Sequence, residues 1–135
     1  MATFNKINSF TERLAEKVFN LQSDTLVVAL TNTPHNSAWT QLSDLTQISY
    51  TSLSSRTLTV SSSTQTAGTY KLTIADLILT ASGTVPQFRY IYIYDDTATN
   101  DDLIAYYDYG VGVTLVNLDT FTLDFDGSNG FLTIA

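Results

Sequence analysis

Residues 88–94, with the sequence FRYIYIY, constrain the fold of this chain more than any other segment. Successive side chains of a strand point to opposite faces, and both faces of this segment are apolar. A strand with two apolar faces is covered on both sides, so we expect it inside a sheet and not at its edge. One face is expected to carry Phe88, Tyr90, Tyr92 and Tyr94, and the other Ile91 and Ile93.

Further strands are expected before and after this one. Residues 103–109 follow it after a polar loop at 95–102, which predicts an antiparallel hairpin. The parity of the apolar positions changes at Ala75 and Asp76, which indicates a β-bulge or a crossing between two sheets. About eight short strands joined by turn-rich loops predict an all-β fold, an antiparallel β-sandwich or a jelly roll. The other predicted strands are residues 25–31, an edge strand at 44–50, residues 56–60 before a turn or long loop at 61–68, and residues 113–116, 120–125 and 131–134.

One segment near the N-terminus has helical spacing and predicts a single α-helix at about residues 10–20. Phe10 and Leu14 lie on its apolar stripe. Ser9 and Glu12 match a capping box, in which a hydroxyl and a carboxylate bind the free amides at a helix start. The helix is expected to cover one end or face of a sheet.

The chain of 135 residues is long enough for one domain with a buried core. We expect residues 10–135 to form this domain, with the helix included, and residues 1–9 to form an N-terminal arm. Phe4 and Ile7 lie in that arm, so docking on a partner is its alternative role.

Composition excludes several classes of partner. The chain has 13 acidic and 6 basic residues, a net charge of −7, and the basic residues are scattered, so nucleic-acid binding is not expected. No apolar run approaches the ~20 residues of a membrane span, so no membrane partner is expected. There is no cysteine for disulfides or thiolate metal sites.

No catalytic motif is present in the sequence. His35 is the only histidine, no G-x-S-x-G elbow precedes a helix, and neither glycine-rich phosphate motif occurs. We therefore predict a protein that is not an enzyme and has no cofactor. His35 and Trp39 share a polar loop, where the tryptophan is interpreted as an anchor for the loop in preference to a ligand site.

The loop after the central strand is rich in carboxylates, which are ligands that Ca²⁺ prefers. A solvated acidic turn is the favoured interpretation, and no metal site is predicted. A calcium loop that begins at residue 124 would need a glycine at its sixth position, where Asn129 stands, and a glutamate at its twelfth, where there is none. The weak candidate ligands are Asp95, Asp96, Asp101 and Asp102.

Tyrosines on the predicted hairpin form a candidate face for a glycan or a protein interface. Aromatic rings stack on sugars, and tyrosine keeps one polar end for water. Only one parity of each strand can face outward, so this face is smaller than the number of tyrosines suggests. The candidates are Tyr90, Tyr92, Tyr107 and Tyr109.

Several blocks together resemble a family of small proteins encoded among the structural genes of tailed bacteriophages: ATFNKINSF, LAEKVFNL, SDTLVVALTNT, LSSRTLT, GTYKL, ASGTVPQFRYIYIYDDTATNDDLIAYYDYG and FTLDFDGSNGFLTIA. The resemblance covers most of the chain and includes no functional motif. It implies a virion structural protein, most simply a capsid decoration or cement protein made in the host cytoplasm and placed on the capsid surface.

The resemblance implies as partners the major capsid protein and other copies of the chain, for example in a trimer. Contact through the N-terminal segment and loops is expected to use Phe4, Lys6, Ile7 and Trp39. Two alternatives stay open: a tail or neck protein, and a carbohydrate-binding or host-adhesion module that uses the tyrosine face.

Overall fold

A computed structural model describes residues 2–135, which form a two-layered antiparallel β-sandwich with one short α-helix near the N-terminus. The predicted all-β fold with a single N-terminal helix is therefore confirmed. No helix in residues 2–135 is long and apolar enough to cross a membrane. The elements are β1 (Asn5–Lys6), α1 (Phe10–Ala15), β2 (Leu26–Thr31), a 3₁₀ helix (Leu42–Asp44), β3 (Val60–Thr66), β4 (Thr69–Ile74), β5 (Leu77–Thr80), β6 (Val85–Asp95), β7 (Leu103–Leu115), β8 (Thr120–Leu123) and β9 (Leu132–Ile134).

The first layer is a four-stranded sheet with the order β1-β7-β6-β2. Strand β6 lies inside it and forms the predicted hairpin with β7, with Tyr92 opposite Tyr106 and Ile91 opposite Tyr107. Strand β2 pairs with the other edge of β6, and all of its residues are buried. The apolar segment at 88–94 is thus the interior strand that its two apolar faces predict.

The second layer consists of two smaller sheets, β3-β4-β9 and β5-β8. Strand β4 ends at Ile74 in the first of them, and β5 begins at Leu77 in the second. The parity change at Ala75 and Asp76 is therefore a crossing between sheets, one of the two structures that it predicted. Strand β9 closes the chain against β4, with Leu72 opposite Leu132.

The four-stranded sheet is covered on both faces. Its inner face packs against Leu72, Ile74 and Leu79 of the second layer. The buried residues of the inner face include Val28, Leu30, Phe88, Ile91 and Ile93. Its outer face is covered by the loop that contains Trp39 and Leu45. The residues buried on that outer side include Ile7, Val27, Ala29, Tyr90, Tyr92, Tyr94 and Leu103.

Phe88 does not share a face with Tyr90, contrary to the expected alternation. It is fully buried in the inner core with Ile91 and Ile93. The register with β7 shifts on both sides of Phe88, so the two-residue period of a regular strand does not hold across this part of β6.

The helix is shorter than the predicted residues 10–20, because it ends in a Schellman motif. Lys17 has a φ of 65° and donates its N–H to the Leu14 carbonyl, while the Val18 N–H bonds the Arg13 carbonyl. The capping box is also absent: the Ser9 side chain makes no capping hydrogen bond.

The segment predicted as an arm belongs to the sheet. Asn5 and Lys6 of β1 pair with Tyr106 and Ala105 of β7. Ile7 continues this contact with a 3.0 Å hydrogen bond from its N–H to the Ile104 carbonyl, and its side chain is fully buried. The boundary placed after residue 9 is therefore not a structural one; Met1 lies outside the described residues.

Three predictions in the middle of the chain are wrong. Residues 44–50 form no strand: Gln47 makes an isolated bridge to β2, and the Ile48 N–H bonds the Leu30 carbonyl. Of the strand predicted at 56–60, only Val60 lies in a strand, β3. The Ser/Thr-rich segment predicted as a turn is mostly strand β3, which is joined to β4 by Ala67 and Gly68 alone. Their φ values of 50° and 85° are those of a two-residue type I′ turn. Asn-Gly is the usual sequence of such a turn, so Ala-Gly did not predict it.

Candidate functional site

An open cavity of about 350 Å³, here called the aromatic groove, lies between the β1 edge of the four-stranded sheet and strand β8. Most of its lining is apolar, and much of it is aromatic. The groove is lined by Ala2, Phe4, Ile91, Tyr107, Tyr109, Phe121, Thr122, Leu123, Asp124, Phe125, Asp126, Gly130 and Phe131.

The floor of the aromatic groove is a chain of edge-to-face rings. The ring of Phe4 lies 6.1 Å from that of Tyr107 and 5.2 Å from that of Phe131, which lies 5.8 Å from the ring of Phe125. Edge-to-face pairs at such distances are favourable beyond the area that they bury. Burial raises the pKa of Tyr107 to about 12, so its phenol stays neutral. The floor is therefore aromatic and uncharged.

Tyr109 forms the open side of the groove. It is 48% exposed, and its ring lies 5.2 Å from that of Phe121. Tyr107 and Tyr109 have the same parity on β7, so both point towards the groove. Tyr109 therefore presents a large, half-exposed ring at the entrance of an apolar cavity.

The groove also runs along a free edge of strand β8. It is lined by the consecutive residues 121–126, although alternate side chains of a strand point to opposite faces. Strand β8 pairs only with β5 among residues 2–135, and nothing pairs with its other edge. The N–H and C=O groups on that edge are open to an incoming chain.

Carboxylates surround the end of β8 and form an acidic rim of Asp76, Asp124 and Asp126. Asp124 and Asp126 line the groove, and Asp76 accepts the Phe125 N–H at 2.9 Å. Hydrogen bonds from Asn129 hold the pKa of Asp126 below its usual range. Lys71 lies near this turn and donates to the Ser128 carbonyl at 2.9 Å. The rim therefore keeps a net negative charge at neutral pH.

The predicted tyrosine face is divided between two sides of the sheet. Tyr107 and Tyr109 line the aromatic groove, whereas Tyr90 and Tyr92 belong to the cluster on the opposite face. Tyr92 is fully buried and Tyr90 is 8% exposed. The four tyrosines cannot bind one ligand together, and the grouping expected from the sequence is wrong.

His35 and Trp39 pack on the outer face of the sheet, where Trp39 anchors its loop to the tyrosine cluster. The His35 ring stacks on Tyr106 at 3.9 Å, and its Nδ1 lies 2.8 Å from the Tyr92 hydroxyl. Burial lowers the pKa of His35, which favours the neutral imidazole. This arrangement gives the buried Tyr92 hydroxyl a hydrogen-bond partner.

The four predicted partner contacts do not form one surface. Phe4 lines the aromatic groove, and Lys6 is exposed with its ammonium bonded to the Thr11 hydroxyl at 2.7 Å. Ile7 is buried and Trp39 is half-buried in the cluster on the other face. Of the four, only Phe4 contributes to the groove.

The acidic loop after β6 does not assemble a metal site: residues 2–135 contain no cluster of three or more groups suited to a metal ion. Asp95 is fully buried, and its Oδ1 accepts the N–H groups of Thr97 and Ala98 at 2.9 and 3.1 Å. Asp102 is paired with Arg13, while Asp96 is exposed and Asp101 half-buried. The carboxylates thus hold the loop instead of converging on an ion.

Several groove residues were not identified as functional from the sequence. The alternation at 120–125 predicted that Phe121 and Phe125 face inward, but it could not show that this inner side is left partly open. Phe131 carried no signal beyond its place in a predicted strand, and Asp124 was considered only as part of a calcium loop. No protein-family model matches the chain, and neither a curated protein nor a solved structure shows significant similarity to it.

Proposed function

We propose that this chain is a non-enzymatic structural protein of a tailed-bacteriophage particle, a decoration protein that binds and stabilises the shell of the major capsid protein. The observation that carries the proposal is the aromatic groove, an open apolar surface with a half-exposed tyrosine and an unpaired strand edge. Protein contacts use aromatic anchors of this kind. The sequence blocks that resemble phage structural proteins point to the same role.

Charge and architecture support an exterior position on the shell. A chain with a net charge of −7 is repelled by packaged DNA. A rigid β-sandwich offers surface and needs no moving parts to join neighbouring subunits. Assembly as a homo-oligomer, with a trimer at threefold positions of the lattice, would repeat the same groove around each axis.

Co-sedimentation with empty shells of the major capsid protein tests this role. We expect the intact chain to sediment with the shells and Tyr109→Ser to lose most of that binding. Ile78→Ser is the matched control, because Ile78 is 58% exposed on β5 and does not line the groove. Absence of wild-type binding, or equal binding by Tyr109→Ser, would contradict the proposal.

A carbohydrate-binding or host-adhesion role is the second candidate. It is favoured by the exposed Tyr109 ring beside Phe121, with the Asp124 carboxylate nearby as a hydrogen-bond acceptor for hydroxyl groups. A glycan array with the purified chain separates the two roles. A sugar signal that disappears in Tyr109→Ser, together with no binding to shells, would favour adhesion.

A further inference from the structure

We infer that the aromatic groove binds an extended peptide segment of a partner protein, apolar with Lys or Arg side chains, which adds as a strand to the free edge of β8. This inference rests on the proposed role of the groove as a protein-binding surface, and it names the binding mode and the chemistry of the partner.

The free edge provides the hydrogen bonds for this mode. Strand β5 occupies one side of β8, and no strand occupies the other in the described residues. The outer side of β5 is already used, because the Ser54 N–H bonds the Thr80 carbonyl and Leu53 bridges Ala81. Antiparallel pairs alternate, so the backbone groups of Phe121 and Leu123 face β5 and those of Thr120 and Thr122 face the free edge. A chain that joins this small sheet therefore has one available place, beside Thr120 and Thr122.

The groove provides pockets for alternate side chains. An added strand would turn every second side chain towards the rings of Tyr109, Phe121 and Phe125, which line the cavity. Its volume of about 350 Å³ lies near the lower end of the ~300–1,000 Å³ found for small-ligand sites. The space suits a few side chains of an extended segment and not a folded domain. Strand addition combines backbone bonds with such pockets.

The acidic rim determines the charge of the partner. Asp124 and Asp126 line the groove, Asp76 lies beside Phe125, and Lys71 lies near the turn. A basic segment is attracted to this rim and an acidic one is repelled. The edge strand β3 is a comparison within the same molecule, because it carries mostly Ser and Thr and no aromatic side chain.

The test uses the full chain and an acetylated, amidated hexapeptide of alternating lysine and valine. Binding is followed by NMR, with hydrogen exchange at the β8 and β3 amides. We expect saturable binding that slows exchange at the free edge of β8. Two further peptides carry methyl groups on alternate backbone nitrogens, one on the odd and one on the even positions. One of them should bind about tenfold more weakly than the unmethylated peptide, the loss expected for one or two hydrogen bonds, because only one set of N–H groups faces β8.

Two further comparisons test the side chains. The wild-type chain should bind a glutamate–valine peptide about tenfold more weakly than the lysine–valine peptide. The Asp124→Lys variant should bind the lysine–valine peptide about tenfold more weakly than the wild-type chain does. The inference is overturned by no binding of the lysine–valine peptide at millimolar concentration, by equal binding of both methylated peptides, or by protection at β3 instead of β8. Shell co-sedimentation without peptide binding would overturn only this mode, whereas peptide binding without shell binding would overturn only the capsid role.

Discussion

Arg13 and Asp102 form an ion pair in which Nε and Oδ2 lie 3.0 Å apart, and this pair joins helix α1 to the start of strand β7. The Asp102 side chain is 5% exposed and that of Arg13 is 33% exposed. Removal of the arginine would leave a buried carboxylate without its cation, which costs more than the intact pair contributes. The contact thus holds the helix against the sheet.

Arg13→Met is therefore expected to lower the free energy of unfolding by ~1–3 kcal/mol. Urea denaturation at pH 7 measures this loss. Asp102→Asn should cost less in the Arg13→Met background than in the wild type, because the unpaired charge is then gone. Equal costs in both backgrounds would show that the two side chains are not coupled.

The contribution of Asp95 to the stability of the folded chain is expected to decrease as the pH rises. Burial, and then a hydrogen bond with the Asp24 carboxyl, raise the pKa of Asp95 to about 7 from 3.8. A raised pKa means that the folded chain binds the proton more tightly, so this contribution is complete below pH 3.8 and is lost as the pH rises through about 7.

Asp95→Asn removes the ionisation and keeps an oxygen for the Thr97 and Ala98 amides. We expect this variant to be more stable than the wild type by ~1–2 kcal/mol at pH 8, with a smaller difference at pH 4. Urea denaturation at the two pH values provides the comparison. A variant that is less stable than the wild type at pH 8 would argue against a neutral Asp95 in the fold.

His35 contributes the opposite dependence on pH. Its pKa is lowered from 6.5 by burial, so the folded chain favours the neutral ring. The contribution is present above pH 6.5 and decreases as the pH falls from there towards the lower pKa of the folded state. His35→Phe keeps an aromatic ring over Tyr106 and removes the titration. Its melting temperature should fall less between pH 7.5 and 5 than that of the wild type; equal falls would contradict the assignment.

Leu118 has a φ of 76° and is 78% exposed, so it bears left-handed strain without burying its side chain. Its N–H bonds the Ala81 carbonyl at 2.8 Å, which fixes this backbone conformation. Leu118→Gly should raise the free energy of unfolding by ~0.5–1 kcal/mol, because glycine adopts this conformation without a steric cost. Val116→Gly is the control: Val116 is 54% exposed but has no positive φ, so it should gain nothing in the same denaturation assay.

The sequence predicted the parts of the fold that depend on long apolar patterns. The interior position of β6 follows from its two apolar faces, and the crossing at Ala75 and Asp76 follows from a parity change. Strand β1 was missed because two residues carry no period. The early end of the helix at Ala15 was missed because the left-handed position after it, residue 17, is a lysine and not a glycine.

The site was less predictable because it depends on register. Tyr107 faces the groove because it pairs with Ile91, and the irregular pairing between β6 and β7 determines that partner. The edge of β8 is free because of the strand order in the second layer, and composition does not predict that order. Phe121 and Phe125 were correctly expected to face inward, but the opening above them is a property of the assembled layers.

Strand β1 binds to residues 105 and 106 of β7, and strand β9 completes its sheet only at residues 132–134. At synthesis rates of ~5–20 residues per second, the first strand waits roughly 5–20 s for its partner to be translated. The nascent chain must meanwhile carry Phe4 and Ile7 uncovered. Strand β1 is thus expected to find its native place only once residues 105 and 106 have left the ribosome, and a nascent chain shorter than this should be prone to aggregation.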